Sequence, residues 1–239
     1  MLSLYDPSDY LAYSTVNQWF SRQLAAGERP IASPSDDSLL VQPCDARAMV
    51  FPSLPADSRV WIKDSSFSVE ELIGSEAYDA ARDSPTSPSR FLDASMALLR
   101  LAPQDYHRYH SPVAGTVVSF SSLSGGFQSV NSDGMTSANK AIFNQRTVML
   151  LDTSGYANIG LVAYVSIGAL CVGSVTFTPA VGSTVTKGQD VGFFQFGGST
   201  VALVFEQGRV QFEQDLLEHS QDIVETLVQV GARLATAIV

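Results

Sequence analysis

The sequence predicts an α+β, mainly β fold: antiparallel sheets with a barrel-sandwich-like core, peripheral helices, and a single domain over residues 1–239. Three observations carry this expectation. Short apolar or alternating runs separated by turn residues dominate the chain from Val113 onward. Helix-period spacing is confined to a few stretches. With 239 residues, 45% apolar content and 16% charged residues, the chain is long and apolar enough to bury a core, with disorder expected only locally.

Taken in order, Tyr10, Leu11, Tyr13, Val16, Trp19, Phe20 and Leu24 recur at three- and four-residue spacing, which predicts an amphipathic helix over Pro7 to Leu24, capped by Ser8 or Asp9. Such a face packs on a core, a partner chain or a membrane surface. Gly27, Pro30 and the run Ser33 to Asp37 mark turns, and Leu39 to Val41 restarts a strand. Ala48 to Pro52 and Arg59 to Ile62 read as strands. Ser68 to Gly74 has a Ser cap, early acids and a terminal Gly, the pattern of a short helix. Asp83 to Ser89 is a Ser/Pro loop, expected to be mobile. The segment Ala102 to Pro112 reads as a loop and a short turn. Val113 to Val118, Thr147 to Asp152, Ile159 to Ser166, Ala169 to Phe177, Val191 to Phe196, Val201 to Glu206 and Arg209 to Phe212 read as strands, with a polar loop around Ser121 to Ala138. Asp222 to Val239 is ambiguous between helix and strand.

Composition excludes several classes. A formal net charge of −10 leaves little Lys and Arg for phosphate contacts, so no nucleic-acid partner is expected. The longest apolar run, Ile159 to Gly173, is shorter than the roughly 20 residues a bilayer requires and contains Gly168. With no signal pattern at the start, the expected location is intracellular, soluble or peripheral to a membrane. Cys44 and Cys171 read as reduced, buried thiols.

Candidate chemistry gathers in three places. In Phe196-Gly197-Gly198-Ser199-Thr200, two glycines free the backbone and a hydroxyl follows at once. Ser199 could attack the Gly198 carbonyl in an internal acyl shift; alternatively the motif is a Gly-Gly turn ending a strand. His107 and His110 lie three residues apart among aromatics, suited to proton transfer near neutral pH or to a structural role. A catalytic zinc would want a third ligand, and no matching motif stands nearby, so no metal is expected. Asp45 is a single carboxylate among apolar neighbours, either solvated at a strand end or held for a purpose.

The segments Asp105-Tyr106-His107-Arg108-Tyr109-His110-Ser111-Pro112-Val113, Gly197-Gly198-Ser199-Thr200, Arg29-Pro30-Ile31 and Pro43-Cys44-Asp45 together resemble the phosphatidylserine decarboxylase family, in the family's order and over nearly the whole chain. The resemblance implies that Asp45, His110 and Ser199 form a serine-protease-like triad in self-processing. Cleavage between Gly198 and Ser199 would give fragments 1–198 and 199–239 and convert Ser199 into a pyruvoyl group, the enzyme's own cofactor. Its ketone would form an imine with a substrate amine and take up electrons as carbon dioxide leaves, with His107 acting in the decarboxylation. The implied reaction converts phosphatidylserine to phosphatidylethanolamine and carbon dioxide. A soluble relative acting on a free, for example aromatic, amino acid is the alternative; a non-cleaving family member and a biotinyl-type module carrying Lys187 are remoter ones. Peripheral membrane contact and a homodimer are implied partners. The family usually has Gly where Ala46 stands, and its N-terminal membrane-associating extension is expected to be missing.

Overall fold

The computed structural model describes residues 2–55, 67–126, 144–168, 175–196 and 199–238. Its strands are β1 (Tyr5–Asp6), β2 (Gln23–Leu24), β3 (Leu39–Val41), β4 (Ala46–Phe51), β5 (Ser95–Leu101), β6 (Arg108–His110), β7 (Gly115–Leu123), β8 (Arg146–Asp152), β9 (Leu161–Gly168), β10 (Val175–Phe177), β11 (Thr184–Val185), β12 (Asp190–Phe194), β13 (Ser199–Phe205), β14 (Val210–Phe212), β15 (Thr226–Val228) and β16 (Arg233–Ala237). The α-helices are α1 (Val16–Phe20), α2 (Val69–Ile73), α3 (Ser75–Ala80) and α4 (Gln214–Gln221).

An eight-stranded antiparallel sheet in the order β11-β7-β8-β9-β13-β5-β4-β15 organises the rest. Side chains alternate across it, so each strand feeds two cores. Val201, Leu203 and Phe205 join Leu99, Tyr164 and Met149 on one face; Ala202 and Val204 join Leu98, Val165 and Leu150 on the other. The first face is covered by the three-stranded sheets β14-β16-β3 and β10-β12-β6, with Leu216 of α4. Helices α2 and α3 and the Phe91 ring cover the second. Coverage of both faces explains the unbroken apolar character of β9 and β13, which are buried throughout. The mainly β, α+β expectation holds, and the sheets stack as an open sandwich with no closed barrel among the described residues.

Helix α2 forms as its sequence dictates. The Ser68 hydroxyl accepts the Glu71 N–H while the Glu71 carboxylate accepts the Ser68 N–H, and Gly74 ends the helix at a φ of 81°. The N-terminal stretch does not form the long helix expected over Pro7 to Leu24. Tyr13 and Thr15 are extended, so a 3-10 turn at Tyr10–Ala12 and the five-residue α1 replace it, and Gln23–Leu24 pair as a strand with Tyr5–Asp6. Asp9 caps the first turn and Thr15, a β-branched residue that also accepts the Gln18 N–H, caps α1. Local capping outweighs the apolar spacing here.

Other boundaries also move. The expected loop over Ala102 to Pro112 contains strand β6, and β7 continues to Leu123. The ambiguous C-terminal stretch is β15 and β16, after helix α4. The Asp83 to Ser89 loop is tied down: Arg82 bridges to Ser89, and the Ser89 hydroxyl donates to the Tyr78 carbonyl. Cys44 is a buried free thiol, pushed up by burial. The strand expected over Arg59 to Ile62, much of the loop around Ser121 to Ala138, Cys171 and the first part of Ala169 to Phe177 lie outside the described residues.

Since Leu203 has no exposed surface at the centre of the sheet, Leu203→Ala is expected to cost about 2–5 kcal/mol of stability. The exposed Val181→Ala is expected to stay within about 0.5 kcal/mol. Equilibrium urea unfolding of the two variants beside the parent measures both.

Candidate active site

Ser199 is the first residue of β13, opposite Leu101 of β5 and Gly168 of β9. Pairing on both sides holds its backbone at the end of the central strand. Its Oγ is fully buried and has no hydrogen-bond partner among the described residues. A buried hydroxyl without a partner costs about 1–3 kcal/mol, so this serine is not explained by stability. Gly197 and Gly198, including the expected cleavage-site residue Gly198, lie outside the described residues.

The two histidines lie in the segment that follows β5, and His107 is tied to the chain leading to Ser199. The His107 carbonyl accepts the Phe194 N–H, two residues before Phe196. Phe20 of α1 stacks on the His107 ring at 3.8 Å between centroids and meets Phe196 edge-on at 5.3 Å. His107 Nδ1 lies 2.9 Å from the Asp105 carbonyl oxygen, and its Nε2 is buried without a partner among the described residues. A carbonyl only accepts, so Nδ1 carries the proton and Nε2 keeps its lone pair. Burial is the main cause that lowers His107 to about 4, so the ring is neutral at physiological pH.

His110 is also lowered by burial, but both its nitrogens are occupied. Nδ1 donates to the Gly188 carbonyl and Nε2 receives the Tyr106 hydroxyl, each at 2.9 Å. Burial raises the Tyr106 hydroxyl far above its usual range, which keeps it a donor. The Gly188 carbonyl is set by the turn between β11 and β12. There Lys187 Nζ donates to the Ser33, Asp36 and Leu39 carbonyls at 2.7, 2.6 and 3.2 Å. That threefold engagement leaves Lys187 a structural anchor rather than the exposed modification site of a biotinyl-type module.

Asp45 sits close by in the chain path, since the His110 N–H donates to the Pro43 carbonyl. Its carboxylate is turned elsewhere. It forms a two-point pair with Arg29, at 3.2 Å from Nε and 2.7 Å from Nη2, and accepts the Val230 N–H at 2.8 Å. The three residues of the expected triad are therefore not hydrogen-bonded to one another: His110 is oriented by Gly188 and Tyr106, and Asp45 by Arg29. Ala46, where the resembled family usually has Gly, packs fully buried at the start of β4, so its Cβ is accommodated in the core.

The sequence reading did not assign roles to Arg29, Tyr106 or Gly188. Tyr106 and Arg29 lie within segments that drew notice, but nothing in sequence spacing joins Arg29 to Asp45 or Gly188 to His110. Among the described residues no group of three His, Cys, Asp or Glu side chains is placed to hold a metal ion.

A buried serine after a Gly-Gly pair, and a neutral imidazole whose Nε2 has no partner among the described residues, are groups of the kind that hydroxyl chemistry at a backbone bond would draw on. The profile of the family described as phosphatidylserine decarboxylase matches residues 16–236. The chain is 40% identical over 228 residues to phosphatidylserine decarboxylase proenzyme 2 of Oryza sativa subsp. japonica, covering 95% of this chain and 35% of that protein. It is 35% identical to proenzyme 3 of Schizosaccharomyces pombe, covering 95% of this chain and 22% of the relative. A phosphatidylserine decarboxylase proenzyme of Chlamydia trachomatis serovar L2 is 37% identical over 224 residues, 93% of this chain and 69% of that protein. The chain belongs to the phosphatidylserine decarboxylase family. It spans about a third of the rice relative and about a fifth of the fission-yeast one.

Because burial holds His107 near 4 against an ordinary 6.5, unfolding takes up a proton between those values. The ring's contribution is present above about 6.5 and is lost as pH falls through about 4. Urea unfolding from pH 7 to pH 4 is expected to show a steeper loss for the parent than for His107→Gln, by on the order of 3 kcal/mol at most.

Proposed function

We propose that the chain is a self-cleaving, pyruvoyl-dependent decarboxylase that converts phosphatidylserine to phosphatidylethanolamine and carbon dioxide. The single observation that carries this reading is the Ser199 hydroxyl, buried and unbonded at the start of β13 immediately after Gly198. Membership of the family supplies the substrate.

In self-processing, Ser199 Oγ attacks the Gly198 carbonyl carbon, its proton passes through a histidine to the Ser199 nitrogen, the C–N bond breaks, and the amide becomes an ester. The Ser199 α-proton is then removed, the Cβ–Oγ bond breaks as Cα and Cβ become doubly bonded, and the fragment 1–198 leaves carrying Oγ in its new carboxylate end. Hydrolysis of the resulting dehydroalanine releases ammonia and leaves the pyruvoyl end on 199–239. His110 is assigned as the base: with Nδ1–H held by Gly188, its Nε2 is the basic atom, and the Tyr106 hydroxyl must give way to Ser199. Asp45 stabilises the charged imidazole from a distance, as one of the groups that raise the His110 pKa.

The pyruvoyl group fits the site on the evidence of its precursor, an orphaned buried oxygen with no structural partner to lose. When present, it supplies an electron-withdrawing carbonyl that takes up the electron pair released with carbon dioxide. His107 serves the decarboxylation: its neutral ring, fixed by Asp105 and Phe20, holds or moves a proton at Nε2. Phe20 and the buried β13 exclude water, which favours loss of charge from a carboxylate. The exposed apolar side chains Tyr10, Leu11 and Val16 beside Trp19 support peripheral contact with a lipid surface. A homodimer belongs to the same proposal on the family resemblance. Among the described residues no helix is long and apolar enough to cross a membrane.

The test is release of labelled carbon dioxide from carboxyl-labelled phosphatidylserine in detergent, beside free serine, tyrosine and tryptophan. Release from the lipid alone is expected, abolished by Ser199→Ala. His107→Asn is expected to cleave yet lose about 100-fold or more in rate, whereas His110→Ala remains a single chain. Release from a free amino acid but not from the lipid would contradict the substrate; release by Ser199→Ala would contradict the mechanism.

A further inference from the structure

Arg22 follows α1 and is 7% exposed. Its guanidinium lies over the Tyr5 ring at 4.1 Å and the Trp19 ring at 4.7 Å. Nη1 donates to the Trp19 carbonyl at 3.1 Å, and Nη2 to the Tyr5 hydroxyl at 3.0 Å and the Asp105 carbonyl at 3.3 Å. Its neighbours in charge are built differently. Arg29, Arg47, Arg100 and Arg108 each hold a carboxylate, whereas Arg22 has none among the described residues, and its Nε is buried without a partner. A buried guanidinium lacking a counter-ion is costly to keep unless its charge is used.

The Asp105 carbonyl that receives Nη2 is the same one that receives His107 Nδ1–H. We propose that Arg22 is a positioning residue for His107, sharing the Asp105 carbonyl with it so that the ring keeps its proton on Nδ1 and its lone pair on the unpartnered Nε2. The carbonyl has two lone pairs, and Arg22 and His107 use one each. Asp105 is itself fixed, because its carboxylate is held by Arg47 and the Ala102 N–H, both at 2.7 Å. The segment that supplies Arg22 also supplies Phe20, whose ring packs against that of His107 at an interplanar angle of 35°. Both clamps on His107 thus come from the last residue of one five-residue helix and the turn that follows it.

Charge acts in the same direction as geometry. The groups facing His107 are the Phe20 ring, the Asp105 carbonyl and the Arg22 guanidinium; the Asp105 carboxylate faces Arg47 instead. After burial, which dominates, the Arg22 charge further disfavours the imidazolium, and the Asp105 carbonyl opposes it. The inference rests on the proposed role of His107 in decarboxylation, but its readout does not.

The experiment is histidine ring NMR on the full chain held uncleaved by Ser199→Ala, with ring nitrogen shifts and Cε1 titration followed in the parent, Arg22→Gln and Arg22→Lys. Resonances are assigned by His107→Gln, His110→Gln and His219→Gln. The parent is expected to show an Nδ1–H ring for His107 that titrates near 4. Arg22→Gln removes the charge, and the titration is expected to move up by about half a unit or more; Arg22→Lys keeps the charge and is expected to stay within about 0.3 unit with the same tautomer. An unchanged His107 in a folded Arg22→Gln overturns the proposal. Should Arg22→Gln not fold, Arg22→Lys decides: a folded protein whose His107 titrates near its ordinary value, or loses the Nδ1–H signature, overturns it as well. A parent that releases no carbon dioxide from phosphatidylserine while these shifts appear contradicts the proposed function and leaves the Arg22 proposal standing.

Discussion

Burial of β13 on both faces and hydrogen bonding along both its edges constrain everything around Ser199. Seven residues run from Ser199 to Phe205 with β5 on one side and β9 on the other, and each lies inside one of the two cores or at its end. A strand so placed cannot shift register without turning its apolar set to the wrong face. The position of the Ser199 backbone is therefore set by the whole sheet, and its unbonded Oγ is a cost carried by a rigid scaffold. The same weave bears on cleavage before Ser199. Residues beyond that point supply β13 at the heart of the large sheet, β15 at its edge, and β16 at the centre of a three-stranded sheet. A cut there would leave two fragments locked into one core.

Around that strand the electrostatics are arranged to keep imidazoles neutral and carboxylates occupied. Burial lowers both histidines, and each holds its Nδ1 proton against a backbone carbonyl, Asp105 for His107 and Gly188 for His110. The nearby acids are paired: Asp45 with Arg29, Asp105 with Arg47, Asp190 with Arg108. An acidic chain thus spends several of its few arginines near the site. The difference between the histidines lies at Nε2, where Tyr106 occupies His110 and no described residue occupies His107.

Much of the fold was legible because burial on both faces writes long apolar strands, as in β9, and because capping residues write helix ends, as in Ser68, Glu71 and Gly74. The N-terminal stretch misled because its apolar spacing is real but serves two purposes: Phe20 turns inward to His107, while Tyr10, Leu11 and Val16 stay exposed. Periodicity reports a face, and cannot say that Thr15 will interrupt the backbone that bears it. Ser199, His107, His110 and Asp45 were all singled out from sequence. Their contacts were not, since Arg29, Gly188 and Arg22 act through backbone carbonyls and pairings between distant segments. No spacing rule encodes a carbonyl shared by two side chains.

The central claim is that Ser199 attacks the bond before it, and the intact mass of the purified protein under denaturing conditions tests that most directly. The account predicts two species: residues 1–198, and residues 199–239 carrying a pyruvoyl group in place of the serine, with a single full-length chain for Ser199→Ala. A single full-length species from the parent, in protein whose sheet is shown to be folded, would contradict it.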